Sequence, residues 1–324
     1  MNNMLLFLGI DTSCYTTSVA VVNSQKQLIK EHRQLLHVPP AQKGLQQSSA
    51  VFQHVQILPA LLEKVLTELN PQDLKAVICS TKPRPYEKSY MPVFTVGAGF
   101  GRVLANSLRI PFLTTSHQEG HLMAGIWSSG AELPEKFLAV HLSGGTSELL
   151  LIKRAYHKES FFEEKLLGGT TDLHAGQLVD RIGVALGLPF PAGPYLENLA
   201  RQSSRSLTIP SSVNKYDFSF SGAETRLKKY LADKVAPGEI ANAVENCIAK
   251  TVEKVVRRAV EEYKIQDVLI VGGVAKNEYI RSRLKTRLEH PAVGARLFFA
   301  ESKFSSDNAV GVALLGTYLQ KNQI

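Results

Sequence analysis

Residues 137–152 read FLAVHLSGGTSELLLI, two apolar runs joined by Ser143-Gly144-Gly145-Thr146. Runs of four to eight residues rich in Leu and Val bury themselves in a sheet, and a short glycine turn between two of them predicts adjacent strands. Adjacent glycines also let main-chain N–H groups come close to an anion. The turn is therefore a candidate phosphate cradle as well as an ordinary hairpin turn.

Two other stretches repeat the design. Residues 5–22, LLFLGIDTSCYTTSVAVV, set a buried run, a polar turn at Asp11-Thr12-Ser13 and a second apolar run. Residues 267–281, DVLIVGGVAKNEYIR, give a strand, Gly272-Gly273 and then a helix. Three strand ends with this turn chemistry suggest two similar halves facing a shared nucleotide cleft. The pattern resembles the two-lobed actin/hexokinase/Hsp70-like (ASKHA) fold, and so implies an α/β chain with duplicated RNase H-like lobes. The expected division is residues 1–115 plus a closing helix at 309–324 for the N-terminal lobe, and residues 116–308 for the C-terminal lobe that carries nucleotide turns.

A chain of 324 residues can bury roughly 75% of its unfolded surface, so a core is easily made. Lys plus Arg number 37 against 29 Asp plus Glu, a net charge of +8, which is a mild bias toward polyanions such as tRNA. Cys14, Cys79 and Cys247 are far apart, odd in number and without CxxC spacing, which speaks against a disulfide framework and fits a reducing cytosol. The first apolar run lacks a basic leader and stops at Asp11, too short for a signal core or a membrane span. A soluble, cytoplasmic protein with no membrane partner is expected.

Between the first two stretches, residues 24–36 are mixed and polar, 37–49 are loop-like, and 51–69 carry apolar residues at helical spacing. A short strand at 75–79 precedes an irregular segment with Pro83 and Pro85. Gly97, Gly99 and Gly101 fall on a helix start; the third comes one residue early for a dinucleotide motif, so they are read as close helix packing. After a strand at 110–113, His117 and His121 lie four apart. On a helix this spacing lets two nitrogens reach one metal, although it serves equally for two polar histidines on an exposed face. Glu119 sits roughly 200° around the helix from His117, pointing away, so a zinc-protease arrangement fails.

Past the central hairpin, Gly168-Gly169 predict a turn, residues 173–186 a helix, and 188–194 a proline-glycine loop whose backbone could approach a ligand. Asp172 and Asp180 suit helix-end or surface positions. Residues 210–221 are polar and end in DFSFSG, and residues 239–263 form a long amphipathic helix. Asp307 stands before an apolar helix at 309–319, as its N-cap or as a carboxylate held where a metal or phosphate could be met.

Together these motifs resemble, over most of the chain, the bacterial TsaD family, also called Gcp or glycoprotease-like, whose archaeal and eukaryotic relatives sit in the KEOPS complex. The family's opening motif matches GIDTSCYTTS from Gly9, its metal-binding two-histidine motif matches at HQEGH from His117 to His121 with the Glu-Gly retained, and its S-G-G-H-T turn matches SGGTS from Ser143. Further matches are AGQLVDR, GLPFPAGP, DFSFSG from Asp217, GGVAKN ending at Asn277, and SDNA around Asp307. The resemblance implies transfer of a threonylcarbamoyl group from threonylcarbamoyl-adenylate to the exocyclic amine of the adenosine beside the tRNA anticodon. It implies one divalent metal, iron or zinc, on His117, His121 and Asp307. It also implies an adenine nucleotide (threonylcarbamoyl-AMP, or ATP/ADP) at Leu142, Ser143, Gly144, Gly145, Thr146, Asp180, Gly193 and Asn277. Asp11 and Ser143 are the candidate catalytic residues. Expected partners are tRNA and TsaB-like and TsaE-like subunits or a family paralogue.

The chain also departs from the family pattern. Tyr15-Thr16 replace an acidic pair, Thr146 a histidine and Leu173 an aspartate, and KPRPYEKSYMP stands where the family has G-P-G. Two other function classes therefore accompany the transferase: a nucleotide-binding regulatory paralogue, and an ATP-dependent phosphotransferase or ATPase in which Asp11 organises magnesium.

Overall fold

The computed structural model describes residues 5–13, 15–39, 44–86, 88–155, 160–203 and 207–319; Cys14 lies outside them. Leu6–Ser13 (β1) and Thr16–Asn23 (β2) pair antiparallel with every residue buried, their apolar runs covered on both faces. Asp11, Thr12 and Ser13, expected in a turn, are instead the last residues of β1, opposite Ser18, Thr17 and Thr16. Their polar groups find partners inside the protein and need no solvent: Thr12 Oγ1 donates to Val93 O, and Ser13 Oγ to Asp11.

Leu28–Leu35 (β3), read only as mixed and polar, is an edge strand, where charged side chains are at home. Gln47–Leu66 (α1), Leu74–Lys82 (β4), Phe94–Leu108 (α2) and Phe112–Ser116 (β5) complete the first half. The sheet runs β3-β2-β1-β4-β5, with β4 parallel to β1 and β5 parallel to β4. Of the α2 glycines, Gly97 faces Thr12 and Gly101 faces Cys79, whereas Gly99 faces open space.

His117–Ser129 (α3) leads into Lys136–Leu142 (β6) and Ser147–Arg154 (β7), the antiparallel hairpin read from residues 137–152. Phe162–Gly169 (β8) pairs with β7. Gly168 and Gly169 end this strand rather than turning, because Gly168 passes against the backbone of Tyr216, 2.6 Å from where a Cβ would sit. Then come Ala175–Ala185 (α4), Gly193–Ala200 (α5), the small hairpin Ser212–Asn214 (β9) and Asp217–Ser219 (β10), Ser221–Ala232 (α6) and Pro237–Tyr263 (α7). Asp267–Val271 (β11), Glu278–Leu288 (α8), Arg296–Phe299 (β12) and Val310–Leu319 (α9) close the chain. The second sheet is β8-β7-β6-β11-β12, three antiparallel strands followed by two parallel ones, so it repeats the plan of the first.

Buried apolar clusters stack the halves in layers. α1 and α2 cover one face of the first sheet through Leu58, Leu61 and Val96 against Leu8, Ile10 and Val19. Helices α4 to α8 cover one face of the second, with Leu178, Val244 and Ile248 against Leu138 and Val140. Between the sheets lie α3 and α9, packed with Phe7, Ile78, Phe137 and Leu150; each such buried side chain contributes roughly 1.5–3 kcal/mol. These two helices touch at Gly120 and Gly311, where a Cβ on Gly311 would sit 1.8 Å from Gly120 O. That contact brings the histidines of α3 against the residues that precede α9. Among the described residues no helix is long and apolar enough to cross a membrane.

Candidate metal and nucleotide site

α3 begins with a capping box. Ser116 Oγ accepts from Glu119 N at 3.2 Å, and the Glu119 carboxylate accepts from Ser116 N at 2.9 Å. The same carboxylate takes bonds from Thr115 Oγ1, Ser160 Oγ and Phe161 N, so Glu119 is engaged in the helix start and is no catalytic base. This rigid start presents His117 and His121 with their Nε2 atoms 3.1 Å apart. Asp307 Oδ1 lies 3.5 Å from the first and 3.3 Å from the second. Ligands about 2.1 Å from a tetrahedral ion stand roughly 3.4 Å from one another, so the three residues form a donor set that fits one metal and leaves a coordination position open. Two imidazoles and a carboxylate suit iron and zinc alike.

Asp307 does not cap α9. Val310 N donates instead to Asn308 Oδ1 at 3.0 Å, while Asn308 Nδ2 donates to Phe304 O and Ser306 O. With the next residue as the cap, the Asp307 carboxylate is free to face α3. Its loop is tied down from both halves: Arg33 of β3 donates to Lys303 O and Asp307 O, and Ser305 Oγ donates to Gly272 O.

Behind His117 stands Asp11, wholly buried, its Oδ1 3.2 Å from His117 Nδ1. Asp11 also accepts from Ser13 and Ser80. A carboxylate on Nδ1 fixes the imidazole tautomer and turns the Nε2 lone pair toward the centre. Burial opposes ionisation of both aspartates, but the neighbouring histidines outweigh it and hold Asp11 and Asp307 below the usual carboxylate range. Burial likewise pulls His117 down, and the two carboxylates outweigh it, lifting the ring to about 10. Burial and His117 together lower His121. A divalent ion would take the place of the His117 proton, leaving two neutral rings and two ionised carboxylates whose −2 the ion cancels.

His141 was not singled out from sequence. It lies on β6, buried, with its ring centroid 4.7 Å from that of His121 and both ring nitrogens without a partner. Burial, with the charge of His121 and His117, holds it well below the ordinary imidazole value. Its signal was the alternation of β6, which sets positions 137, 139 and 141 on the face toward α3.

The glycine turn follows directly. Ser143 Oγ accepts from Gly145 N and Thr146 N, and Ser143 N donates to Thr146 O at 2.7 Å; the Ser143 hydroxyl shapes the turn. Gly144 and Gly145 are exposed. Gly176, in the first turn of α4, donates to Ser143 O at 3.0 Å and lies so close that a Cβ there would be 2.6 Å from Gly144 N. A helix N-terminus thus abuts the turn, an arrangement that favours anions. Leu142 O lies against Gly272, whose φ of 101° no β-carbon tolerates well, and Gly272 O holds Ser305, so turn and Asp307 loop are joined.

Asp180 Oδ1 accepts from Ala192 N at 2.8 Å, which sets it beside Gly193, and burial lifts its carboxyl to about 6. Asn277 caps α8 through Ile280 N and donates to Glu245 of α7. The structure therefore brings together His117, His121, Asp307 and Asp11, and ties Asp180 to Ala192, next to Gly193; Asn277 pairs with Glu245.

The sequence profile described as TsaD, tRNA N6-adenosine threonylcarbamoyltransferase, matches residues 27–314. A relative of that name from Thermus thermophilus is 31% identical over 312 residues, covering 95% of this chain and 90% of the relative. One from Chlamydia pneumoniae is 30% identical over 342 residues, covering 98% and 93%. Among solved structures, component A of the Acidaminococcus fermentans (R)-2-hydroxyglutaryl-CoA dehydratase aligns at TM-score 0.58 with 15% identity, covering 99% of this chain and all of that one. A ROK family glucokinase from Streptomyces griseus aligns at 0.53 with 13% identity, covering 96% and 98%. These two share the fold alone, the two-lobed ASKHA architecture expected from the repeated turns. By profile and by relatives, over nearly its whole length, the chain belongs to the TsaD family of tRNA N6-adenosine threonylcarbamoyltransferases.

Proposed function

We propose that the chain transfers the threonylcarbamoyl group of threonylcarbamoyl-adenylate to the exocyclic amine of the adenosine beside the tRNA anticodon, with His117, His121 and Asp307 holding one iron or zinc ion. The observation that carries this reading is the convergence of Asp307, remote in sequence, on His117 and His121, next to the strand that ends in the Leu142 to Thr146 turn.

In the reaction the amine nitrogen bonds to the carbamoyl carbon, the bond from that carbon to the phosphate oxygen breaks, AMP departs and the amine gives up a proton. An adenine amine is a weak nucleophile, so the carbonyl needs polarising and the departing phosphate needs stabilising. A divalent ion, when bound, supplies Lewis acidity at a position its three protein ligands leave open. Asp11 acts through His117, holding its tautomer. The Gly144 N–H group and the N-terminus of α4 meet the phosphate. Asp180 and Asn277 offer polar groups to the ribose.

With α9 packed on the first sheet and α3 against the second, we divide the lobes at 115/116 and 308/309. Phe52 and Val55 of α1 and Val103 of α2 are exposed on the outer side of the first lobe, an apolar face that suits a TsaB-like subunit or a family paralogue. Nucleoside mass spectrometry of tRNA treated with the purified protein and its partners tests the reading. Threonylcarbamoyladenosine is the expected product, and its absence from an otherwise complete reaction would overturn the proposal.

One observation favours the regulatory paralogue as a second reading. Tyr15, at the first acidic position of the family motif, packs edge-on against Phe190 with centroids 5.5 Å apart, so it bridges the first lobe to the 188–194 loop of the second. Adenine-nucleotide binding without tRNA modification would select it.

A further inference from the structure

We infer that the groove between α7 and α8 is a phosphate-binding face for the RNA backbone, centred on Arg257, Arg283 and Arg287. Glu253 of α7 is buried and accepts from all three guanidinium groups, at 3.2, 2.9 and 3.1 Å respectively. Three positive charges around one carboxylate leave a surplus of two. Arg287 pairs with Glu253 through Nε alone and its side chain is half exposed, so its terminal N–H groups are open to an acceptor from outside. Lys250 and Lys254 stand along the same helix, the latter exposed, and neither has an ion pair among the described residues. Planar guanidinium forks match the paired oxygens of a phosphate.

The position of the groove indicates which polyanion it takes. This inference rests on the tRNA reading above and adds where the backbone runs. α7 and α8 are joined at Glu245 and Asn277, beside the proposed nucleotide site. Glu253 lies eight residues further along α7, about 12 Å at the helical rise. That is within reach of phosphates flanking a nucleotide held at the cleft, whereas an acidic peptide would have no anchor there.

The test is a fluorescence-anisotropy titration of an in vitro transcribed tRNA with the full chain, between about 50 and 200 mM KCl. For Arg287→Gln combined with Lys254→Gln, both exposed positions, affinity is expected to fall roughly ten-fold and the salt slope to drop by about one for each lost phosphate contact. Glu253→Gln, which adds a positive charge to the face, is expected to tighten binding several-fold, a change that a purely structural glutamate would not produce. Unchanged affinity and slope in a folded double variant would overturn the inference and leave the tRNA reading standing. Failure of the unaltered chain to bind tRNA would remove both. Preference for polyglutamate over tRNA would also overturn it, marking the groove as a face for an acidic protein.

Discussion

Nδ1 of His117 sits 3.2 Å from Oδ1 of Asp11, so a fully buried carboxylate of the first strand stands directly behind a histidine of the helix between the sheets. The bond reaches the proposed metal only through the ring. Partners of this kind set ligand orientation and basicity, and their loss costs roughly 10- to 100-fold in metal affinity. Asp11→Asn is expected to weaken binding by that factor in competition with a chromophoric chelator, while one ion still binds at saturation because all three ligands remain. Wild-type affinity would remove Asp11 from any positioning role.

Asp307 and Asn308 are neighbours with separate tasks. Asp307→Asn is expected to lose stoichiometric iron or zinc by elemental analysis, with α9 intact. Asn308→Ala removes the acceptor for Val310 N and two donated bonds from a buried site, which should cost roughly 1–2 kcal/mol and appear as a lower Tm with metal retained. If instead Asp307→Asn kept its metal, the three-residue centre would be refuted.

The repeated hairpins were legible because apolar runs meeting at glycine turns occur near both the N-terminus and the middle of the chain. The pair His117 and His121 was legible because helical period alone sets their spacing. Placing Asp307 beside them depends on the meeting of Gly120 with Gly311, a tertiary contact that no local pattern encodes. Asp11 to Ser13 were misplaced in a turn because polar residues inside a buried strand break the apolar pattern, and their partners Val93 and Ser80 lie far along the chain. The edge strand LIKEHRQL was passed over for a related reason, since a strand paired on one side only has little apolar signature. His141 escaped as a single polar residue in an apolar run.

Gly176 tests whether the central turn holds the nucleotide. A Cβ there would meet Gly144 N at 2.6 Å and Ser143 C at 2.8 Å, backbone atoms that no rotamer change can move aside. Overpacking of this sort costs about 1–3 kcal/mol, and displacement of the turn should pass a similar amount to ligand binding, roughly ten-fold or more. Gly176→Ala is therefore expected to weaken AMP binding in calorimetric titration while metal content stays at the parent value. Equal AMP affinity in parent and variant would detach the turn from nucleotide recognition.

Glu245 makes the α7–α8 junction sensitive to pH. Burial lifts its carboxyl to about 7, against the pull of the bond from Asn277. The unfolded side chain titrates near 4.5, so between those values the folded chain binds more protons than the unfolded one. Stability therefore falls as pH rises across that window and stays lowered above it. Glu245→Gln keeps the shape and the carbonyl acceptor for Asn277 and removes the charge. The variant should melt with the parent below about pH 4.5 and above it near pH 8, by a few degrees. A gain of equal size at both pH values would assign the effect to packing, and no gain near pH 8 would mean that water or a neighbouring cation already compensates the carboxylate.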